Sequence, residues 1–470
     1  MRLRAWGWIG IVVAVCAALL AACAPSTSTS TSTTPTPTPK AKASGQTSCI
    51  TSATPNAMTI RTLGGAQQGR LASVPFSPVP FTPQQIRDAY GVTPLLQQGI
   101  TGKGQTVVLI DSYGDPALQS DLDTFSRQFG LPPVTVRVVS PLGGAPAGTN
   151  VNEMNSWAGE TALDAEVVHA IAPDAGIVVM TSPVDETEGT IGLTQFRQLE
   201  EQAVSQHLGN IISQSWGVSE ATLAGGACSA ELKLWDAFYQ NATTQQGITF
   251  TTGSGDNGAT DAIDANAKQF ASVPTTSFPA DEPWVTAVGG TELVNNGDGT
   301  YSERVWNNCQ GDGGASGGGF STLYPQPAFQ KLLPASTQSM FGGRRGVPDV
   351  AADGAPCSGW PIYVQGQLNL IGGTSAGAPF WAGLAALANQ LAGRPLGFIN
   401  PQLYAVGTSA NAAQDFHDIT QGNNSIDEAN GVRVQGFAAG PGWDAATGLG
   451  SPNAAKLLPD LVAAAARGLP

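Results

Sequence analysis

From residue 81 onward the chain alternates short apolar runs with longer stretches of mixed polarity. The runs at 105–110 (QTVVLI), 134–139, 176–181 (GIVVMT), 210–215 and 248–252 hold five or six residues each and are rich in Val, Ile and Thr. That length and composition predict buried strands. Between them, 117–129, 157–172, 194–207 and 230–244 repeat apolar residues at helical spacing. Strands alternating with helices predict an α/β fold: a mostly parallel central sheet with helices on both faces. Ligands of such folds sit outside the carboxyl ends of the strands. Gly and Pro are frequent from 256 to 373, which predicts a loop-rich region, and no internal repeat is present.

The first 80 residues have a different texture. Arg2 and Arg4 precede an apolar run at 9–20, which is short for a membrane span. The run ends in LAAC at 20–23, which resembles a bacterial lipobox, so Cys23 is expected to be the lipidated first residue of the mature protein. An ordinary secretory signal cut nearby is the other reading. Residues 26–39 are Ser, Thr and Pro alone, a composition that cannot bury apolar surface and predicts a tether. The expected organisation is a signal peptide at 1–22, a tether and short segment at 23–80, and the globular part at 81–470. The chain is expected to be exported and held at the outer face of a membrane by its lipid alone, or released to the medium.

Composition narrows the partners. Only 12% of residues are charged and the formal net charge is −14. Nucleic acid is excluded as a partner, because phosphate binding needs a basic face. A solvated acidic surface accounts for the charge; tolerance of acid also does, because few Lys and Arg leave little positive self-repulsion when carboxylates protonate. A monomer is expected. Outside the leader, Cys49, Cys228, Cys309 and Cys357 allow two disulfides in three pairings. Cys309 and Cys357 both lie in Gly-rich segments, which favours that pair. No CxxC spacing suggests zinc.

Candidate chemistry begins at 371–379, IGGTSAGAP, where small residues surround Ser375 at the start of a predicted helix. A serine hydroxyl needs a base, and the chain has three histidines, His169, His207 and His417. Carboxylates are better placed. In 157–169, WAGETALDAEVVH, Glu160 and Asp164 stand four residues apart on one helix face; taken alone, this is also the pattern of a solvated acidic edge. In 248–258, ITFTTGSGDNG, a strand runs into a Gly-rich turn carrying Asp256; taken alone, this is also a loop aspartate bonding its own backbone. Asp111 follows the first strand.

Together GTSAGAP at 373–379, GETALD at 159–164 and SGDNG at 254–258 resemble the signatures of the sedolisin family, the serine-carboxyl peptidases. FTPQQIRDAYG at 81–91, SQSWG at 213–217, ASGGGFS at 315–321 and RGVPDV at 345–350 are similar to further family segments, in the same order. The resemblance implies a subtilisin-like fold and peptide-bond hydrolysis in proteins or peptides. Ser375 would be the nucleophile and Glu160 the general base. Asp164 would orient Glu160, and a protonated Asp256 would donate to the oxyanion. Asp111 and Trp216 would stand behind this group, and ASGGGFS would lend backbone to an extended substrate. The resemblance also implies one structural calcium ion, held by the side chains of Asp418 and Asp444 and the carbonyls of Ile419, Gly440 and Gly442. Acid activity follows from the chemistry, because Asp256 must keep its proton.

Family members usually carry a long N-terminal prodomain, and the 23–80 segment is too short for one. Two rival readings remain. GTSAG at 373–377 fits G-x-S-x-G, and Asp415 and His417 follow it, as an α/β-hydrolase esterase would require. A non-catalytic surface-binding lipoprotein is the other.

Overall fold

The computed structural model describes residues 61–62, 81–186, 190–223, 226–264, 269–429 and 432–468. The expected signal peptide, Cys23, the tether and Cys49 lie outside the described residues.

The five expected strands form, as β1 (Thr106–Ser112), β2 (Val136–Val139), β3 (Gly176–Ser182), β4 (Ile211–Gln214) and β5 (Thr249–Gly253). Three more come from the Gly- and Pro-rich region: β6 (Thr286–Asn295), β7 (Tyr301–Val305) and β8 (Val350–Asp353). They make an eight-stranded sheet in the order β7-β6-β5-β4-β1-β3-β2, with β8 paired to β6. Every pairing is parallel except β7 against β6.

The helices that position the site are α1 (Leu118–Phe129), α2 (Val151–Ile171), α3 (Thr190–Ser205), α4 (Gly226–Gln246), α5 (Thr374–Ala392) and α6 (Ala454–Ala466). Register divides the sheet into two faces. Val107 lies opposite Ile177 and Ile211, and Val108 opposite Val178 and Ile212. Val107, Leu109, Ile177, Val179 and Ile211 enter one core, covered by α1, α2, α5 and α6. Val108, Ile110, Val178, Met180 and Ile212 enter another, covered by α3 and α4. Each fully buried aliphatic side chain is worth about 1.5–3 kcal/mol. Two cores on opposite faces are why the strands are apolar at consecutive positions.

Helix α2 starts six residues earlier than its apolar pattern indicates, because the Asn150 side chain accepts the Asn152 N–H and caps it at Val151. It is also not amphipathic: every residue from Trp157 to Ile171 is buried. Glu160 and Asp164 therefore do not lie on a solvated edge.

The Cys309–Cys357 disulfide forms, with Cα atoms 6.0 Å apart, and Cys228 is disulfide-bonded as well. No described helix is long and apolar enough to cross a membrane.

Candidate active site

The carboxyl ends of β1, β4 and β5 and the start of α5 converge. β1 delivers Asp111, level with Thr181 of β3. β4 is followed by Ser215, and β5 by the turn that holds Asp256. α2 runs alongside with Glu160 and Asp164. The side chains of Asp111, Glu160, Asp164, Asp256 and Ser375 are all buried.

Ser375 is the second residue of α5. Gly373 caps the helix with φ 126°, a conformation open to glycine. Pro379 lies four residues after Ser375 and has no N–H to give to its carbonyl. The Ser215 hydroxyl stands in, 3.1 Å from that carbonyl, and lies 2.7 Å from Asp164 Oδ1. Ser215 thus ties the Ser375 backbone to the Asp164 carboxyl.

The Asp256 turn is braced from behind. Ala315 N–H donates to the Asp256 carbonyl at 2.9 Å and Gly317 N–H to the Gly255 carbonyl at 2.7 Å. The Ser254 hydroxyl donates to the Gly317 carbonyl at 2.7 Å. A Cβ on Gly317 would stand 2.3 Å from the Ser254 carbonyl oxygen, so only glycine fits. Much of the ASGGGFS backbone is engaged within the fold. Ala315 and Gly317 N–H brace the 255–256 turn, Ser316 N–H donates to the Trp306 carbonyl at 3.0 Å, and Gly319 and Phe320 pair with Val347 and Gly346.

Electrostatics here are set by burial. The Glu160 carboxyl is pushed well above the usual range by desolvation, while the adjacent Ser375 hydroxyl favours its charged form and Asp111 and Asp256 disfavour it. Asp164 is pushed up by desolvation and by Asp111 and Glu160, with Ser215 opposing. Asp111 is raised to about 7 by desolvation, against a favourable Thr161 hydroxyl. Asp256 is raised to about 7 by desolvation, against two hydrogen bonds from Thr374. Like charges this close do not all ionise, so Asp111, Glu160 and Asp164 titrate as a coupled set. Ser375 Oγ lies beside Glu160 without a full hydrogen bond, as is common before a substrate aligns such pairs.

The chain is similar to known peptidases. Residues 143–443 match the model of the subtilase family. Kumamolisin of Bacillus sp. (strain MN-32) is 35% identical over 84% of this chain and 66% of its own length. Tripeptidyl-peptidase 1 of Canis lupus familiaris is 31% identical over 81% of this chain and 64% of its own. A solved structure of Pseudomonas sedolisin, a serine-carboxyl proteinase complexed with two molecules of pseudo-iodotyrostatin, superposes with TM-score 0.68 at 30% identity. It covers 81% of this chain and 97% of that one. The chain belongs to the subtilase family, in its sedolisin branch. It spans less than two thirds of the length of the curated relatives it matches.

Within this family member the remaining candidates fall as follows. Trp216 is fully buried and packs on Phe196, Trp235 and Phe278, its ring centroid 4.9 Å from that of Phe196. It is part of the core behind Ser215. His169 is buried, with Nε2 2.9 Å from the Pro132 carbonyl, and His207 is exposed. His417 lies 3.7 Å from Glu303, on a short strand paired with Ser451–Pro452, and no hydrogen bond joins it to Ser375. The strand before Ser375, Gln367–Ile371, pairs antiparallel with Trp360–Val364 outside the central sheet. An esterase elbow would need a strand of that central sheet, so the α/β-hydrolase reading is set aside.

The two calcium-candidate aspartates are each bonded by the 440–442 turn. Gly442 N–H lies 3.1 Å from both Asp418 oxygens, and Gly440 N–H 3.1 Å from Asp444 Oδ2. Asp444 Oδ1 accepts from Ala446 N–H and Thr447 N–H at 2.9 Å. These donors on both carboxylates are backbone N–H groups, and no described contact brings the carbonyls of Ile419, Gly440 and Gly442 to them. Among the described residues a three-residue group with ligand atoms within 4.8 Å of one another lies elsewhere, at Glu292, Cys309 and Cys357. Those sulfurs are spent in the disulfide, and Glu292 pairs with Arg304 at 2.7 Å.

Three contributors were not legible in the sequence. Ser215 and Thr374 act through hydrogen bonds that only the packed fold creates. Glu186 is fully buried with neither carboxyl oxygen hydrogen-bonded, pushed well up by desolvation and, among others, by Glu160. The one signal for Glu186 was its place just past the carboxyl end of β3.

Proposed function

We propose that this chain hydrolyses peptide bonds in acid through an acyl-enzyme on Ser375. Ser375 Oγ attacks the scissile carbonyl and passes its proton to Glu160. Asp256, still protonated, donates a hydrogen bond to the oxyanion. Glu160 then returns the proton to the leaving amine, and water, activated by the same carboxylate, releases the acid product. Asp164 holds Glu160, and Asp111 adds a third carboxyl so that one negative charge is shared over the set. The observation that carries this reading is the company Ser375 keeps: buried carboxyls, with no histidine hydrogen-bonded to it.

The rest of the reading follows the same line. Protein or peptide substrates, a monomer, and a calcium ion on Asp418, Asp444 and the carbonyls of Ile419, Gly440 and Gly442 fit it. Bound calcium would neutralise the two carboxylates and pin the loop. Export and anchoring through Cys23 fit an enzyme acting outside the cell, and acyl labelling lost in Cys23→Ser would test that. The central test is hydrolysis of a denatured protein from about pH 3 to about pH 8. Activity is expected in acid only, lost in Ser375→Ala and Glu160→Gln and kept in His417→Ala. Wild-type activity that peaks near neutrality and needs His417 would overturn it, and no activity at any pH would favour the binding-lipoprotein reading.

A further inference from the structure

We infer that Thr374 is a positioning residue that decides which oxygen of Asp256 carries the catalytic proton. The inference rests on the proposed role of Asp256. Both Thr374 donors point at one oxygen: Thr374 N–H is 2.8 Å and Thr374 Oγ1 2.7 Å from Asp256 Oδ1. The hydroxyl has one hydrogen. Gly255 N–H donates to Thr374 Oγ1 at 3.1 Å, which turns a lone pair toward Gly255 and commits the hydrogen to Asp256. An oxygen that accepts two hydrogen bonds is the carbonyl oxygen of a carboxylic acid. The proton therefore sits on Oδ2, which is buried without a hydrogen-bond partner.

Oδ2 borders the space where an oxyanion would form. The point a Cβ on Gly373 would occupy lies 2.7 Å from Asp256 Oδ2 and 3.7 Å from Ser375 Cβ. Glycine keeps that space open between the acid and the nucleophile. A donor about 2.7–3.1 Å from the developing oxyanion is the geometry such stabilisation needs. The charged groups that act on Asp256 are all acidic: Glu160 on α2, Asp261 beyond the turn, and Asp312 in the loop after Cys309. None competes with Thr374 as a donor to Oδ1.

The test compares Thr374→Val with Thr374→Ser by kcat, KM and pH profile on a peptide substrate. Val keeps the shape and the N–H but removes the hydroxyl. Its kcat in acid should fall about ten- to a hundredfold with KM little changed, because a misdirected acid weakens transition-state stabilisation alone. Its alkaline limb should move to higher pH, because the lost donor favoured the carboxylate. Ser should restore both. A purely structural role would lower thermal stability and leave the limb in place. Wild-type kcat and limb in Thr374→Val, or equal damage in Thr374→Ser, overturns the inference. If Val does not fold, the smaller Thr374→Ala carries the same expectations. Activity that survives Ser375→Ala would instead sink the Ser375 acyl-enzyme reading beneath it.

Discussion

Replacing Asp256 by asparagine separates its charge from its hydrogen bond. Burial raises this carboxyl from 3.8 to about 7. At about 1.36 kcal/mol per pH unit, a rise of roughly three units sets about 4 kcal/mol against folding once the group ionises. The folded-state value lies above the unfolded one, so the protein is unaffected below about pH 4 and loses stability from there to about pH 7. The asparagine side chain would keep the two bonds from Thr374 at its oxygen, place an amide donor where Oδ2 stands, and never ionise. Thermal unfolding should show Asp256→Asn more stable than wild type at neutral pH, by up to that amount, and equal to it in acid. The pH profile of kcat should lose its alkaline limb near pH 7 and fall only where other groups titrate. Asp256→Ala, without a donor, should lose about 10²–10³ in kcat, or about 2.7–4 kcal/mol. If Asp256→Asn matched Asp256→Ala in activity and wild type in stability, the protonated-acid reasoning would be refuted.

Other outcomes follow from the same physics. Glu282 and Asp353, both buried and raised to about 8, add to the trend; His169, lowered to about 4 by burial, opposes it below its unfolded value of about 6.5. The carboxyls outnumber the histidine, so the melting temperature should fall between about pH 4 and about pH 8, and a rise over that interval would contradict the burial argument. Gly373→Ala would place its Cβ 2.7 Å from Asp256 Oδ2 at a φ of 126°, so kcat should drop at least a hundredfold, about 2.7 kcal/mol; near-normal turnover would show that this space is not used. If Asp418 and Asp444 hold calcium, excess chelator should lower the melting temperature of wild type and leave Asp444→Asn unmoved; equal effects on both would remove the site.

Strand and helix positions were legible because each is a local pattern: an apolar run such as VVLI of β1, or helical spacing in α3. β6, β7 and β8 were not: Gly-rich texture such as VGG in β6 reads as loop, the short polar YSERV of β7 becomes a strand only by its hairpin with β6, and β8 pairs with a strand some sixty residues back, Val350 opposite Val288. Helix α2, buried from Trp157 onward, was half legible. Its apolar residues showed, but nothing in WAGETALDAEVVH says that Glu160 and Asp164 also face inward; that follows from α5 and the 360–371 hairpin packing against it. Ser375, Glu160, Asp164 and Asp256 were picked out by resemblance, since each alone has an ordinary structural reading. The hydroxyls of Ser215 and Thr374 act on carboxyls 51 and 118 positions away in sequence, separations at which no spacing rule operates.

Covalent capture at Ser375 tests the central claim most directly. The protein would be mixed with an activated peptide ester in acid, quenched, and mapped by peptide mass spectrometry. The account predicts the acyl mass on the peptide containing Ser375, absent in Glu160→Gln and fading as pH rises past about 7 with the ionisation of Asp256. An acyl group on another residue, or labelling of Ser375 that strengthens toward neutral pH and disappears in His417→Ala, would contradict it.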